Sequence, residues 1–455
     1  MILNKKLIRN FIKVTLCLAF FLWESNIGTP SHLFSFLEAG GTEIPGGGND
    51  APVPVSWKIR NIESDFSEAQ VLTSSMENML KRYHLNGASV AVAVEGRLVY
   101  AHGVGYADRE KGEEVTPGHL FRIASVSKLI TAVAIMKMVE EGTIRLDDKV
   151  FGTNGLLNDS AYLKYRDKRL ERISVRQLLN HTSGFGRRYG DPVFNTLQVA
   201  QVTGVKPPLN TDALIRFSLS YPLSYTPGTR YSYSNLGYII LGKVIEKLSG
   251  MDYEEYVQQR ILFPIGIYDM HIGKSFPYEH LWNEVSYYEP PRYGYCLAID
   301  GSGQSVQRCN GGIDISLLGA AGGWIASSPE MMKFLLAIDG YPESPDILSA
   351  ASIKEMTTPS SAFNSLLGWR GRDDEDNWWR TGTMAGTVAH VMRRNDNSNW
   401  VVFINSSASR HAGIHTAIES TMNFALDSIT QWPGIDLLDR TPLKPLRHIS
   451  AQPIL

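Results

Sequence analysis

Ser125 and Lys128 stand three residues apart at the start of an apolar run that includes Val126, Leu129, Ile130, Val133 and Met136. Residues i and i+3 share a helix face, so a hydroxyl and an amine meet there over one turn. Such a pair is a serine nucleophile with a base beside it. The apolar neighbours would bury the helix, and burial disfavours the charged amine, which draws the lysine pKa down. A helix start also aims backbone N–H groups at whatever the serine attacks. Two later stretches carry residue types that fit this chemistry. Tyr233 and Asn235 flank one residue in an extended segment ahead of a helix-like run at 239–248. A phenol beside an ammonium loses its proton more easily, so Tyr233 can act as base toward Ser125 and as acid toward a leaving group. In Arg380-Thr381-Gly382-Thr383 the glycine lets another backbone approach closely. Arg380 there either holds a carboxylate or polarises Tyr233.

In this order, S-x-x-K, Y-x-N and R-T-G resemble the serine β-lactamase and penicillin-binding protein superfamily. The tyrosine of the second segment is similar to the class C β-lactamase branch, which also holds D-alanyl-D-alanine peptidases, D-amino-acid peptidases and carboxylesterases. Residues 177–184, 241–250 and 262–267 and Gly322-Gly323-Trp324 are similar to that family too, and the resemblance runs from about 66 to about 428. It implies Ser125 as the acylated nucleophile, with Lys128 and Tyr233 sharing the proton transfers. Asn235 would position Lys128 and the substrate, and the N–H groups of Ser125 and Thr383 would form the oxyanion hole. His181 would belong to a structural turn, and no cofactor is implied. Arg380 stands where lysine is usual in β-lactamases and histidine in many relatives, which argues against antibiotic hydrolysis but leaves acyl transfer intact. A planar guanidinium suits a substrate carboxylate, and that role is favoured here. The implied activity is a serine hydrolase forming an acyl-enzyme on an amide or ester. A carboxylesterase of the same fold and a catalytically silent binding protein are the alternatives; the latter would be expected to have lost Ser125, Lys128 or Tyr233. The implied partner is a small molecule or a peptide of peptidoglycan type.

The elements that must hold these segments are legible in outline. The 455 residues are 43% hydrophobic and 20% charged, with a net charge of −2, ordinary globular material with no basic stripe for nucleic acid. No Cys/His cluster points to a metal, and the G-x-S-x-G elbow is absent. Amphipathic spacing predicts a helix over 65–83, ended by Gly87, followed by a hairpin at 90–100 turning on Glu95-Gly96. The Ser125 helix should close at Gly142. Helix and loop signals then dominate to about 318, a late hairpin spans 387–405, and a last amphipathic stretch covers 414–429. The expected fold is α/β (α+β), of the β-lactamase/transpeptidase type. Both chain ends complete an antiparallel sheet flanked by N- and C-terminal helices, with a mostly helical insert. The hydrolase domain would span 61–435, with sheet parts at 61–122 and 365–435 and a helical part at 123–364. Lys5, Lys6, Arg9 and Lys13 ahead of the apolar run 14–23 read as an export signal over 1–25, retained or cleaved, with membrane contact only if it is retained. A Gly/Pro-rich linker would follow over 26–60, and a tail without periodicity would occupy 436–455. With Cys17 in the signal, Cys296 and Cys309 form an even pair in an exported chain and are expected to be bridged.

Overall fold

Helix α1, Ala69–Tyr83, buries Leu72, Met76, Met79 and Leu80 along one face. It starts four residues later than the periodicity suggests, because Asp65 is extended where it leaves the separate 3-10 turn Asn61–Ser64. There Ser64 Oγ sits 2.7 Å from both the N–H and the carbonyl of Ala101, pinning the turn to the sheet. His84, at φ 55°, caps the helix in the left-handed region. Gly87 is therefore not the helix stop; it opens the next strand, where a Cβ would lie 2.4 Å from the Tyr106 carbonyl. The computed structural model describes residues 52–186, 190–360, 362–408 and 413–439, and these elements all belong to the unit that begins at Val53. The expected export signal, most of the linker and nearly all of the tail lie outside these residues. The end of the linker region, however, is packed: Ile59 is buried and Trp57 Nε1 donates to Asp269 Oδ2 at 2.7 Å.

Strands β1, Gly87–Val94, and β2, Arg97–Asp108, form the expected hairpin, with Glu95 and Gly96 both at positive φ, as a tight two-residue turn requires. After β3, Glu113–Glu114, and β4, Phe121–Arg122, comes helix α2, Ser127–Glu140. The insert continues through α3, Thr196–Thr203, α4, Thr211–Leu219, and α5, Asn235–Ser249. It carries small strands that the sequence pattern does not announce: β5, His271–Ile272, the ribbon of β6, Tyr295–Leu297, with β7, Ser305–Gln307, and β8, Trp324–Ala326. Two more helices, α6, Ile315–Gly322, and α7, Ser328–Leu336, lead back toward the sheet. It is completed by β9, Gly371–Arg372, β10, Trp378–Met384, β11, Thr387–Arg393, and β12, Ser398–Ile404, before the closing helix α8, Ile414–Asp427.

The main sheet is antiparallel with seven strands in the order β3-β2-β1-β12-β11-β10-β9. β1 and β12 lie side by side with Val90 opposite Val402, so the first and last strands of the described residues meet at its centre. One face is covered by α1 and α8 through Met76, Trp400, Val402, Ile418 and Met422. The other face, with Ala91, Leu98, Val401 and Phe403, joins the core of the insert. β4, expected in this sheet, instead pairs with β8 in a three-stranded sheet with β5. That pairing places Ser125 between the insert and the main sheet. Arg122 anchors it: fully buried, it donates to the carbonyls of Cys309 and Lys274 at 2.6 and 2.8 Å and lies 4.0 Å above the Tyr287 ring.

The expected Cys296–Cys309 bridge is not formed; both are free thiols. Cys296 lies on the β6–β7 ribbon with its sulfur against Gly312, while Cys309 packs against Gly386 and donates to the Tyr287 carbonyl at 3.5 Å. The two sulfurs therefore occupy separate niches, which closeness in sequence does not reveal. Unfolded without reductant, the protein should take up an alkylating reagent at both Cys296 and Cys309. A linked peptide pair in a non-reduced digest would contradict this.

Candidate active site

Residues 119–136 are buried except for Ser125, which is half-exposed. The chain reaches it through Ala124, held at φ 47° in the left-handed region where a side chain costs energy. This sharp step lifts Ser125 onto the 3-10 turn Ala124–Val126 at the head of α2. α2 is buried on almost all sides, so Lys128, one turn on, is fully enclosed. Its Nζ lies 2.8 Å from Asn235 Oδ1, 2.5 Å from the Ala321 carbonyl and 3.3 Å from Ser125 Oγ. The first two oxygens only accept, so they take two amine hydrogens in either protonation state. The third direction faces Ser125, where an ammonium donates and a neutral amine accepts. Burial draws the Lys128 pKa down to about 8, opposed by the phenolate charge of Tyr233 and reinforced by Arg380.

Tyr233 Oη is 2.8 Å from Ser125 Oγ. Burial alone would raise its pKa, but the charges of Lys128 and Arg380 outweigh burial and bring it to about 7. The ring is held from behind by His181, whose centroid lies 4.3 Å away. His181 Nδ1 accepts from Ser234 N–H at 3.2 Å, so the expected structural turn also steers the tyrosine. Asn235 is the first residue of α5, four residues before the start that its apolar run suggests, with Ser234 Oγ capping Gly237 N–H at 3.1 Å. Its amide is oriented by a residue that no sequence motif singles out, Asp191, whose Oδ2 accepts from Asn235 Nδ2 at 2.8 Å. The Asp-Pro helix start at 191 is visible in the sequence; its link to a residue 44 positions away is not.

Arg380 is 1% exposed. Strand alternation puts it on the same face of β10 as Gly382, the face turned toward Ser125. Nε donates to the Ser125 carbonyl at 2.8 Å and Nη2 to Tyr233 Oη at 3.0 Å. The guanidinium is thus turned onto the floor of the site, the placement that the rival role of a cation beside the tyrosine requires. The exposed arginine at the mouth is Arg370, donating to Tyr231 Oη at 3.0 Å. Gly382 permits the closeness of β10, since a Cβ there would lie 2.4 Å from the Ile123 carbonyl and 3.0 Å from Ser125 N.

Register fixes where Thr383 points. Met384 faces Thr387 across the two-residue turn, so the hydrogen-bonded pairs of β10 and β11 are 384/387, 382/389 and 380/391. The N–H groups of 379, 381 and 383 point to the outer edge, in phase with Arg370 N–H bonding the Trp379 carbonyl at 2.8 Å. β9 covers only 378 and 379, which leaves the Thr383 N–H on the edge beside the Ser125 turn. Thr383 Oγ1 is meanwhile 2.8 Å from His415 Nε2 on α8. Thr381, Thr383, Arg370, Tyr231 and Tyr233 line a cleft of about 910 Å³ over Ser125. All eight residues expected to carry the chemistry therefore border one cleft or its floor. No cluster of metal-ligating side chains occurs among the described residues.

Against known proteins, the sequence profile of the Beta-lactamase family matches residues 72–419. "Esterase EstB" of Burkholderia gladioli is 32% identical over 206 residues, 45% of this chain and 51% of the relative. The chain spans about half or less of the length of the curated relatives it matches. Among solved structures, an octameric penicillin-binding protein homologue from Pyrococcus abyssi is 26% identical, with a TM-score of 0.59 over 78% of both chains. The D-amino acid amidase from Ochrobactrum anthropi SV3 shares the fold, at 22% identity and TM-score 0.61 over 80% of this chain and 99% of that one.

Two substitutions test this geometry. Gly382→Ala should push β10 off the Ser125 turn and lower kcat on any turned-over ester by about a hundredfold or more with the fold retained, the loss typical of one oxyanion donor; a near-normal kcat would show that the close approach is unimportant. Arg380→Met removes one of two charges that depress Tyr233. If the phenolate is the active form, the acid limb of kcat/KM should move up by about one pH unit or more, with equal losses on neutral and carboxylate-bearing esters. A rise in KM confined to the carboxylate-bearing ones would restore the carboxylate role.

Proposed function

Because the chain belongs to the Beta-lactamase family, we propose that it is a serine hydrolase working through an acyl-enzyme on Ser125, with carboxylic esters as its first substrate class. The observation that carries the reading is Tyr233 Oη at 2.8 Å from Ser125 Oγ, between the cations Lys128 and Arg380. The Ser125 proton passes to the Tyr233 phenolate as Oγ attacks the carbonyl carbon. The oxygen charge that develops is met by the N–H groups of Ser125 and Thr383, each such donor contributing around 3 kcal/mol. Tyr233 then returns the proton to the departing oxygen or nitrogen, leaving the acyl group on Ser125. In the second half, water gives a proton to Tyr233 and attacks the acyl carbon, and Ser125 leaves with that proton. Lys128 keeps the phenolate charged and holds Ser125 Oγ, and Asn235, set by Asp191, holds Lys128.

The esterase relative favours esters over amides, and the arginine at 380 argues against β-lactams. The basic residues ahead of the apolar run at 14–23 support export; no helix among the described residues is long and apolar enough to cross a membrane.

A fluorophosphonate should label the wild type at Ser125, and Ser125→Ala should abolish both labelling and hydrolysis. A panel of p-nitrophenyl esters, D-amino-acid amides and a chromogenic cephalosporin should show turnover greatest on the esters. Labelling of the alanine variant at the wild-type rate would refute the nucleophile, and faster turnover of the amides would refute the ester class.

A further inference from the structure

A second space adjoins the cleft. A cavity of about 340 Å³ lies between residues 185–186 and 190–195, α3 and the end of α4, with Phe185, Val199, Phe217, Tyr221 and Leu236 among its walls. Its polar groups are largely engaged. Asp191 Oδ2 accepts from Asn235 at 2.8 Å and Oδ1 from Val193 N–H at 3.2 Å. Ser218 Oγ donates to the Leu214 carbonyl at 2.8 Å, and Ser234 Oγ accepts from Gly237 N–H at 3.1 Å. A wall whose donors and acceptors are already committed favours an apolar occupant. Ser224 and Tyr233 line both this cavity and the cleft that holds Ser125, so the two spaces lie on either side of these residues.

We propose that this cavity receives the acyl chain of the substrate, so that the enzyme selects esters of medium-length or arylalkyl acids over acetates. The inference rests on the acyl-enzyme reading above. The leaving group is protonated by Tyr233 and departs through the open cleft. The acyl group stays bonded to Ser125 until water attacks, and a walled space is useful to the part that stays. Binding energy realised there, remote from the reacting carbonyl, can orient that carbonyl against the two N–H groups. Each methylene buried should raise kcat/KM about fourfold until the chain outgrows the cavity.

The test is a series of p-nitrophenyl esters from acetate to dodecanoate, in which only the acyl side changes. The expected profile rises at least tenfold from acetate to a maximum at medium length and falls beyond it. Ser218→Trp, on the wall, and Val202→Trp, exposed at the rim, should lower the octanoate-to-acetate ratio of kcat/KM at least tenfold. Phe217→Ala, which widens the cavity, should move the maximum to longer chains. A flat profile in the wild type, or an unchanged ratio in both tryptophan variants with native circular dichroism, overturns the acyl-chain assignment while leaving Ser125 as nucleophile. Absence of both ester turnover and phosphonate labelling overturns the assignment together with the reading beneath it.

Discussion

A phenol and two cations share one buried site, and the rest of the molecule depends on keeping them there. Burial acts oppositely on the partners: it pushes a phenol toward its neutral form and an amine toward losing its proton. Lys128 and Arg380 reverse the first effect at Tyr233, and the phenolate in turn opposes the second at Lys128. Neither group would hold its charge alone at this depth. Together they favour the phenolate at Tyr233, whose Oη lies 2.8 Å from Ser125 Oγ and would then be the acceptor that the proposed proton transfer needs. Asp191 stands one residue further out, behind Asn235, where it orients the amide and adds to the charges that favour a protonated Lys128.

That site requires two bodies of structure to approach within van der Waals limits. The insert supplies α2, α5 and the Ala321 carbonyl; the sheet supplies β10. The glycine at 382 lets strand backbone touch the Ser125 turn, and the short reach of β9 leaves the outer edge of β10 open beside it. An open strand edge is ordinarily a hazard that proteins cover; here the outward N–H of Thr383 lies beside the turn where charge would develop. Pairing β1 with β12 at the sheet centre ties the start and end of the domain together, so β10 is carried by strands from both halves of the chain.

The sequence made Ser125, Lys128 and Tyr233 legible because their chemistry depends on residue type and local spacing, and helix spacing brings the first two together. The sheet of both chain ends was legible for a similar reason, since Glu95-Gly96 and alternating valines announce a hairpin. What stayed hidden depends on three-dimensional partners. The inward direction of Arg380 follows from strand phase, the role of Asp191 from a contact across 44 positions, and the separation of Cys296 from Cys309 from the niches each sulfur occupies. The two-residue strands β4 and β5 carry too few residues for any periodicity and exist because β8 pairs with both.

The whole mechanism requires Tyr233 to be ionised near neutral pH. Carbon-13 labelling of the tyrosine ring carbon bearing oxygen, with the Tyr233 signal identified among the 20 tyrosines by its loss in Tyr233→Phe, measures this directly. The signal should titrate with a midpoint near 7, the value to which the two cations bring the phenol. A Tyr233 signal that keeps its neutral-phenol position up to about pH 10, the ordinary tyrosine value, would contradict the ionised state and the proton transfers built on it.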